Sequence, residues 1–414
     1  MKRQVFILLL TVIAANSFAK LTIDQCHQLA HDNYPAIKKY NLIEQSCNFT
    51  VSNAIKGYLP NIKVSTGVDA FTDIISLPSQ LQSTTGNMKN DIADINVQIN
   101  QTLYDGGAIQ ARKHISQAQA DVDKNKLNVT MYAVNDRINQ LFFGILTIDE
   151  RIKQNLILQN DLSINLKTIE DMIKGGLANQ TDADIIKVEQ IKNQQAEKSL
   201  RISRQTYLYM LGTFIGQKLD DHTILETPEQ KDLQIPLLPN RPELELYNAQ
   251  DHLLNVQKES VNAQIRPKLS AFGLGMYHSQ VSSLVKNHIF AAGITLSWNI
   301  SSLYTHKNDL HNIELQRQQI ENDREIFLFN TNLQNQNVNG KIKDLQQQIE
   351  QDKQIIDLRE KIYSNSTKKV ENGTETTNEM VRDINAVNQA RQQKAVDEIL
   401  LLQETYQLKN INND

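Results

Sequence analysis

Cysteine is almost absent from this chain, since Cys26 and Cys47 are the only two among 414 residues. So low a content excludes a small fold held together by disulfide bonds. If both lay on one helix, their separation of 21 positions (47 minus 26) would correspond to about 31 Å, whereas the Cα atoms of a disulfide lie within about 7 Å of each other. We therefore predict two free thiols, unless the chain folds back at Tyr34 and Pro35.

Aromatic residues, excess charge and long apolar runs are also scarce. Aromatic residues make up 6% of the chain, the formal net charge is −4, and the mean hydropathy is −0.44. Without a basic excess, the composition argues against a nucleic-acid partner. No apolar run of about 18 to 25 residues follows the N-terminal segment, which argues against a membrane-spanning helix.

Catalytic and cofactor-binding motifs are missing as well. The sequence contains no glycine-rich phosphate loop, no zinc-protease motif and no nucleophile elbow, so we predict that the protein is not an enzyme and holds no cofactor. His27 and His31 have the i, i+4 spacing of two zinc ligands on a helix, but no clear third or fourth ligand accompanies them. We interpret this pair as part of an exposed polar helix face rather than a metal site.

The N-terminal segment, Met1 to Ala19, has the pattern of a secretory signal. Two basic residues precede an apolar stretch, which ends in Ser17-Phe18-Ala19. Small residues at both ends of that tripeptide are typical of a signal-peptidase site, and we predict cleavage before Lys20.

One very long helix is predicted from the lack of helix breakers. Between Gly107 and Gly175 the chain has no proline and a single glycine. A helix from Ala108 to Lys174 would be about 100 Å long at about 1.5 Å per residue, which a compact domain does not need. Apolar residues spaced by three and four give it a seam for another helix: Leu127, Met131, Val134, Ile138, Leu141 and Ile145.

The pair Gly175-Gly176 ends this helix, and Thr181 or Asp182 is positioned to cap the next one. The return helix covers about Ala183 to Leu211, so the predicted hairpin spans residues 107–212. An ordinary coiled coil would show the same pattern.

Residues 61–104 change to the period of two that is typical of β-strands. The apolar residues Ile95, Val97 and Ile99 alternate with Asn96, Gln98 and Asn100, and residues 62–68 alternate in a similar way.

These features recur later in the chain. Asn33-Tyr34-Pro35 matches Asn240-Arg241-Pro242 at an offset of 207 (242 minus 35), and Gly176 matches Gly373 at an offset of 197 (373 minus 176). We predict a first repeat at 20–217, a linker at 218–242 and a second repeat at 243–414. The second repeat would hold a strand pair at 268–301 and a helical hairpin at 304–410.

Each of the four strands is predicted to have one apolar and one polar side, and Phe272, Leu274 and Met276 form the apolar side of the third. This alternation is typical of strands in membrane barrels, although a half-buried soluble sheet would show it too. An open sheet edge cannot lie in lipid, because its backbone groups would be unpaired. Four strands cannot close around a channel, whereas three chains would supply twelve.

Several short motifs occur in a fixed order across essentially the whole mature chain: Leu21-Thr22-Ile23-Asp24-Gln25, Asn33-Tyr34-Pro35, Gly57-Tyr58-Leu59-Pro60, Leu103-Tyr104-Asp105-Gly106-Gly107, Gly176-Leu177 and Gly373-Thr374. Through their order and spacing the chain resembles the TolC family of outer-membrane efflux proteins, also called outer-membrane factors. The resemblance implies a mainly α-helical, two-repeat fold with a membrane β-barrel portion. Four strands per chain would build a 12-stranded barrel in a homotrimer, and the long helical hairpins would form a tunnel across the periplasm.

The same resemblance implies a function and partners. The protein would be the outer-membrane channel-tunnel of a tripartite export system, a passive duct for efflux of small molecules or type I protein secretion. Its partners would be a periplasmic adaptor (membrane-fusion) protein, an inner-membrane pump of the RND or ABC type, and outer-membrane lipid. The remaining alternative is a periplasmic coiled-coil adaptor or scaffold protein without a pore.

The resemblance also assigns candidate site residues to the tips of the two hairpins. Acids six positions after each tip glycine, Asp182 and Glu379, would line the periplasmic gate, and Arg382 stands where a second acid is common. The tip pairs would contact the adaptor: Gly176 with Leu177, and Gly373 with Thr374. Carboxyl groups packed closely in a narrow ring raise one another's pKa values and attract cations. A first-turn acid is also favoured by the helix dipole alone, so both roles are open for Asp182.

Overall fold

The computed structural model describes residues 20–70, 91–229, 240–279 and 287–412. The predicted signal at 1–19, the loop between the first two strands and part of the predicted linker lie outside the described residues. The chain divides into two compact units, which we call the hairpin unit (Met1–Ile37, Thr130–Arg241 and Leu328–Asp414) and the sheet unit (Lys38–Val129 and Pro242–Phe327).

The predicted first repeat contains four α-helices and two strands in the described residues. They are α1 (Ile23–Asn33), α2 (Lys38–Ile55), β1 (Asn61–Ala70), β2 (Asp91–Tyr104), α3 (Ala108–Lys174) and α4 (Gln180–Ile215). A capping box begins α1, because the Thr22 side chain accepts from the N–H of Gln25 while the Gln25 side chain accepts from the N–H of Thr22. Helix α3 begins and ends where the sequence predicts, and its six seam residues are all buried.

The predicted second repeat contains α5 (Pro242–Gln264), which begins at the last residue of the predicted linker, followed by β3 (Lys268–His278), β4 (His288–Ser297), α6 (Ser302–Glu371) and α7 (Thr377–Asn412). Its elements recur at the two offsets read from the sequence. The start of β3 is offset from that of β1 by 207 (268 minus 61), and the start of β4 from that of β2 by 197 (288 minus 91). The start of α7 is likewise offset from that of α4 by 197 (377 minus 180).

The four strands form one antiparallel sheet in the order β1-β2-β3-β4. Directly opposed residues share a face of the sheet. One face, which we call the apolar face, presents large apolar side chains that are between 37% and 81% exposed: Ile62, Val64, Val68, Ile95, Val97, Ile99, Phe290, Ile294 and Leu296.

The large apolar residues of strand β3 do not lie on the apolar face of the sheet, although their alternation suggested that they would. Its small residues Gly273 and Gly275 pair with Ile99 and Val97, so they lie on the apolar face. Its large residues Phe272, Leu274 and Met276 pair with Asn100, Gln98 and Asn96 on the opposite face. The alternation in a single strand shows which residues share a side of that strand. It does not show on which face of the sheet each side lies, because that depends on the register with the neighbouring strand.

The hairpin unit has its main core where α1 packs on α3 and α4. The largest fully buried side chains there include Phe142, Phe143 and Ile138. Cys26 lies in this core as a free thiol, and burial raises its pKa to about 12. Cys47 is also free and donates its S–H to the carbonyl oxygen of Ser116 at 3.6 Å in the sheet unit.

No helix among the described residues is both long and apolar enough to cross a membrane.

Candidate functional site at the two hairpin tips

The first hairpin turns at a glycine in the left-handed conformation. Gly176 has φ of 73° and donates its N–H to the carbonyl of Ile173 at 3.0 Å, while Leu177 donates to the carbonyl of Met172 at 2.9 Å. These two bonds form a Schellman motif, which satisfies the last carbonyls of α3. Leu177 then projects into solvent with 71% of its surface exposed.

The second hairpin turns in the same way. Gly373 has φ of 68° and donates to the carbonyl of Val370 at 2.9 Å, and Thr374 donates to the carbonyl of Lys369 at 2.9 Å. Thr374 is exposed, as Leu177 is, but it offers a hydroxyl that bonds back to the Lys369 carbonyl at 3.1 Å. The two tips therefore share a backbone and differ in the chemistry of the exposed side chain.

Each predicted gate acid is part of a helix cap. The residue that caps α4 is Asn179 rather than Thr181 or Asp182, because Asn179 has the extended conformation and its side chain accepts from the N–H of Asp182 at 3.2 Å. In return, the carboxylate of Asp182 accepts from the N–H of Asn179 at 3.0 Å. Asp182 is thus the third helical residue of a capping box.

Glu379 has the same role at the start of α7. Its Oε2 accepts from the N–H and from the hydroxyl of Thr376, at 3.0 and 2.9 Å, and the Thr376 Oγ1 accepts from the N–H of Glu379 at 3.3 Å. These bonds to Thr376, with smaller contributions from Arg382 and Lys369, lower the pKa of the Glu379 carboxyl. Arg382 is itself exposed, and its Nε lies 3.8 Å from Oδ1 of the buried Asp383.

The two tips share one apolar core within the hairpin unit. Nine buried side chains from all four long helices contribute to it: Leu158, Leu162, Ile169, Ala183, Ile186, Val370, Met380, Val381 and Ile384. The sequence predicted the tips separately, and the structure brings them together by this packing.

Two polar contacts beside this core tie the first hairpin to the second. The side-chain amide of Asn165 on α3 donates to the hydroxyl oxygen of Tyr363 on α6 at 2.7 Å. Arg391 on α7 lies 2.6 Å from Glu360 on α6 and 3.7 Å from Asp161 on α3. Burial raises the pKa of Tyr363 and of Asp161, and Arg391 partly offsets the effect on Asp161.

Sequence reasoning missed these residues, together with the caps Asn179 and Thr376. The caps had a local signal, since each precedes its acid by three positions. Asn165 and Tyr363 had none, because they are 198 positions apart.

The histidine pair in α1 is divided between two environments. His27 is half-buried, its Nε2 lies 2.8 Å from Oδ1 of Asn139, and burial lowers its pKa. His27 therefore departs from the predicted exposed polar face, whereas His31 is exposed beside Asp32. Across the described part of the chain, no group of three or more potential metal-ligating side chains is assembled.

Solved structures of outer-membrane channels resemble this chain over nearly its whole length. CusC, described for its transmembrane channel formation, has a TM-score of 0.71 at 11% identity, with 95% of this chain and 92% of CusC covered. The outer membrane protein VceC of Vibrio cholerae has a TM-score of 0.68 at 12% identity, covering 94% and 95%. The CmeC outer membrane channel of Campylobacter jejuni has a TM-score of 0.68 at 12% identity, covering 94% and 85%.

No protein-family model and no curated protein sequence matches this chain. The likeness to solved structures is therefore one of fold. It confirms the predicted TolC-like arrangement of long helices with a small four-stranded sheet.

Proposed function

We propose that this chain, which has the TolC-like fold of outer-membrane channels, is itself the outer-membrane channel-tunnel of an export system. The observation that carries this proposal is the likeness to such channels over at least 94% of the chain. The described residues add physical support at the sheet and at the tips.

The sheet has the surface that a lipid-facing barrel segment requires. Its strands are 10, 14, 11 and 10 residues long, against about 9 to 11 for a tilted membrane strand. The apolar face exposes at least nine large apolar side chains, which water would not favour. Exposed Tyr104 and Trp298 stand at the helical end of the sheet, where an aromatic girdle would meet the membrane surface.

The two unpaired edges of the described sheet support the proposal of a trimer. Among the described strands, β1 and β4 each have a neighbour on one side only. Because a free edge is unfavourable in lipid, β1 of one chain would pair with β4 of the next, and three chains would close a 12-stranded barrel. The apolar face would then lie against lipid, and the face with Asn96, Gln98 and Asn100 would line the lumen. A periplasmic adaptor or scaffold, the alternative, would leave the apolar face without an occupant.

The tips would form the periplasmic gate in this assembly. Threefold symmetry would bring the copies of Asp182 and of Glu379 together, with Arg382 adding positive charge beside Glu379. Such rings would attract cations and repel anions as solutes enter. The exposed pairs Gly176-Leu177 and Gly373-Thr374 would receive the adaptor, with the inner-membrane pump behind it.

The test is the oligomeric mass of the mature protein extracted from outer membranes in mild detergent, with planar-bilayer conductance on the same sample. A trimer with small, cation-biased currents is expected. A water-soluble monomer or dimer without currents would contradict the proposal and favour the adaptor or scaffold.

The gate is tested separately with Asp182→Asn combined with Glu379→Gln. The double variant should lose cation selectivity and divalent-cation block, because both acid rings become neutral. Asp184→Asn combined with Glu371→Gln is the matched control, since it removes the same charge from exposed positions near the tips. Equal currents in both double variants would count against the gate assignment.

A further inference from the structure

Asp352 on α6 and Asp397 on α7 form a buried pair of acids in the second hairpin. They are 9% and 3% exposed. A carboxylate buried to this extent needs hydrogen-bond donors or a counter-ion, because it has lost its hydration. The two acids differ in how this need is met.

Asp397 obtains its donors from its own helix. The side-chain amide of Gln393 donates to both carboxylate oxygens, at 2.9 and 3.1 Å. Asp352 has no such donor, and its buried Oδ2 lacks a hydrogen-bond partner among the described residues. Asp397 is close enough to Asp352 for its charge and a side-chain hydrogen bond to raise the pKa of Asp352. Two carboxyl groups form a hydrogen bond only when one of them carries a proton.

Three lysines on the helices near this level are each paired with a glutamate. Each borders the groove between the two hairpins and is held by a glutamate: Lys394 by Glu398 on α7 at 2.7 Å, Lys353 by Glu350 on α6 at 3.0 Å, and Lys153 by Glu150 on α3 at 3.3 Å. Lys394 acts on Asp352 through its charge, but burial and the negative charge of Asp397 outweigh it and raise the pKa of Asp352. Among the described residues, neither Asp352 nor Asp397 forms an ion pair with a lysine or an arginine.

The internal repeat supplies an independent comparison. Position 352 corresponds to position 155 at the offset of 197 (352 minus 155), and Asn155 is also buried, with 3% exposed. An asparagine amide has the shape of a protonated aspartic acid, with a donor and an acceptor on the same branched group. The chain thus holds a neutral residue of the same shape at the equivalent buried point of its first hairpin.

We propose that Asp352 and Asp397 share one proton and form a proton-dependent latch between α6 and α7. With the proton present, Asp352 donates to Asp397 and the two helices are joined. When the proton leaves, two buried carboxylates repel each other and the second hairpin loosens at this level. The latch does not depend on the proposed channel function.

The direction of the pH effect follows from linkage. Because the pKa of Asp352 is raised above 3.8 in the folded chain, the folded state keeps a proton that the unfolded chain has released. The stabilisation is complete below pH 3.8 and is lost as the pH rises through the raised pKa.

Infrared difference spectra of the purified full-length protein, recorded as the pH is raised stepwise above 3.8, test the shared proton. The carbonyl stretch that persists to the highest pH, from a protonated carboxylic acid, should be present in the wild-type protein and lost in Asp352→Asn. It should also be lost in Asp397→Asn, because Asp352 then ionises against an amide donor. Asp357→Asn, at an exposed position of α6, is the control and should keep the band.

A wild-type spectrum without the band, or a band that persists in both variants of the pair, would overturn the proposal. Thermal unfolding provides the second measurement. The unfolding temperature of Asp352→Asn relative to wild type should rise with increasing pH, because only the wild type loses a stabilising proton. A difference that is constant with pH would also overturn it. If Asp352→Asn does not fold, Asp397→Asn can be compared with the wild type in both the infrared and the thermal unfolding measurements.

Discussion

Asp182 and Asn179 hold each other across the first turn of α4: each side chain accepts a hydrogen bond from the other's backbone N–H, at 3.0 and 3.2 Å. Thr376 and Glu379 repeat this arrangement at the offset of 197 (376 minus 179). The acids proposed for the gate are therefore fixed by local bonds before any assembly forms, which supports a ring with a defined geometry.

Removing the Asn179 cap should loosen the first turn of α4. Asn179→Ala loses the acceptor for the N–H of Asp182, and we expect a local destabilisation of about 1 kcal/mol. Hydrogen exchange of the first-turn amides of α4 would measure it. Asn378→Ala, at an exposed position inside the first turn of α7, is a control that should leave exchange in α4 unchanged.

The tip glycines should resist substitution although space is available. A Cβ at Gly176 would meet nothing within 4 Å, but φ of 73° disfavours any side chain, so Gly176→Ala should destabilise the turn by roughly 1–2 kcal/mol.

Gly340→Ala is the matched control. Gly340 is also open within 4 Å but lies inside α6, where alanine should stabilise by roughly 0.5–1 kcal/mol. Hydrogen exchange should become faster near position 176 in Gly176→Ala and slower near position 340 in Gly340→Ala. Stabilisation at both would show that the left-handed turn is not needed.

The α7 cap should weaken in acid. The pKa of Glu379 is lowered from 4.5 by its bonds to Thr376, so its stabilisation is present above pH 4.5 and is lost as the pH falls through the lowered value. Exchange at the start of α7, corrected for the intrinsic pH dependence, should increase in that range. Glu379→Gln should remove the pH dependence, and an unchanged profile would assign it to another group.

Breaking the tie between the hairpins should favour opening of the proposed gate. Tyr363→Phe keeps the ring but removes the hydroxyl that accepts from Asn165, which should cost about 1 kcal/mol. Single-channel recordings should show longer or larger openings. Tyr209→Phe, at a position 73% exposed, is the control and should behave as wild type.

Much of the fold could be predicted because it depends on neighbours along the chain. The bounds of α3, the glycine turn and the α1 capping box follow from breakers and caps within a few positions. The cap of α4 was assigned two or three positions too late, because Asn179, Thr181 and Asp182 all have side chains that can cap a helix.

The duplicated order of helices and strands and the two turns that bear Asp182 and Glu379 can be predicted from the sequence, because hydrogen bonds between near neighbours specify them. Three other features require the folded chain: Phe272 lies on the face with Asn100, Asn165 meets Tyr363, and Asp352 lies against Asp397. Each of these features depends on strand register or on the packing of helices that are distant in the sequence. A local sequence pattern is compatible with more than one register and more than one packing.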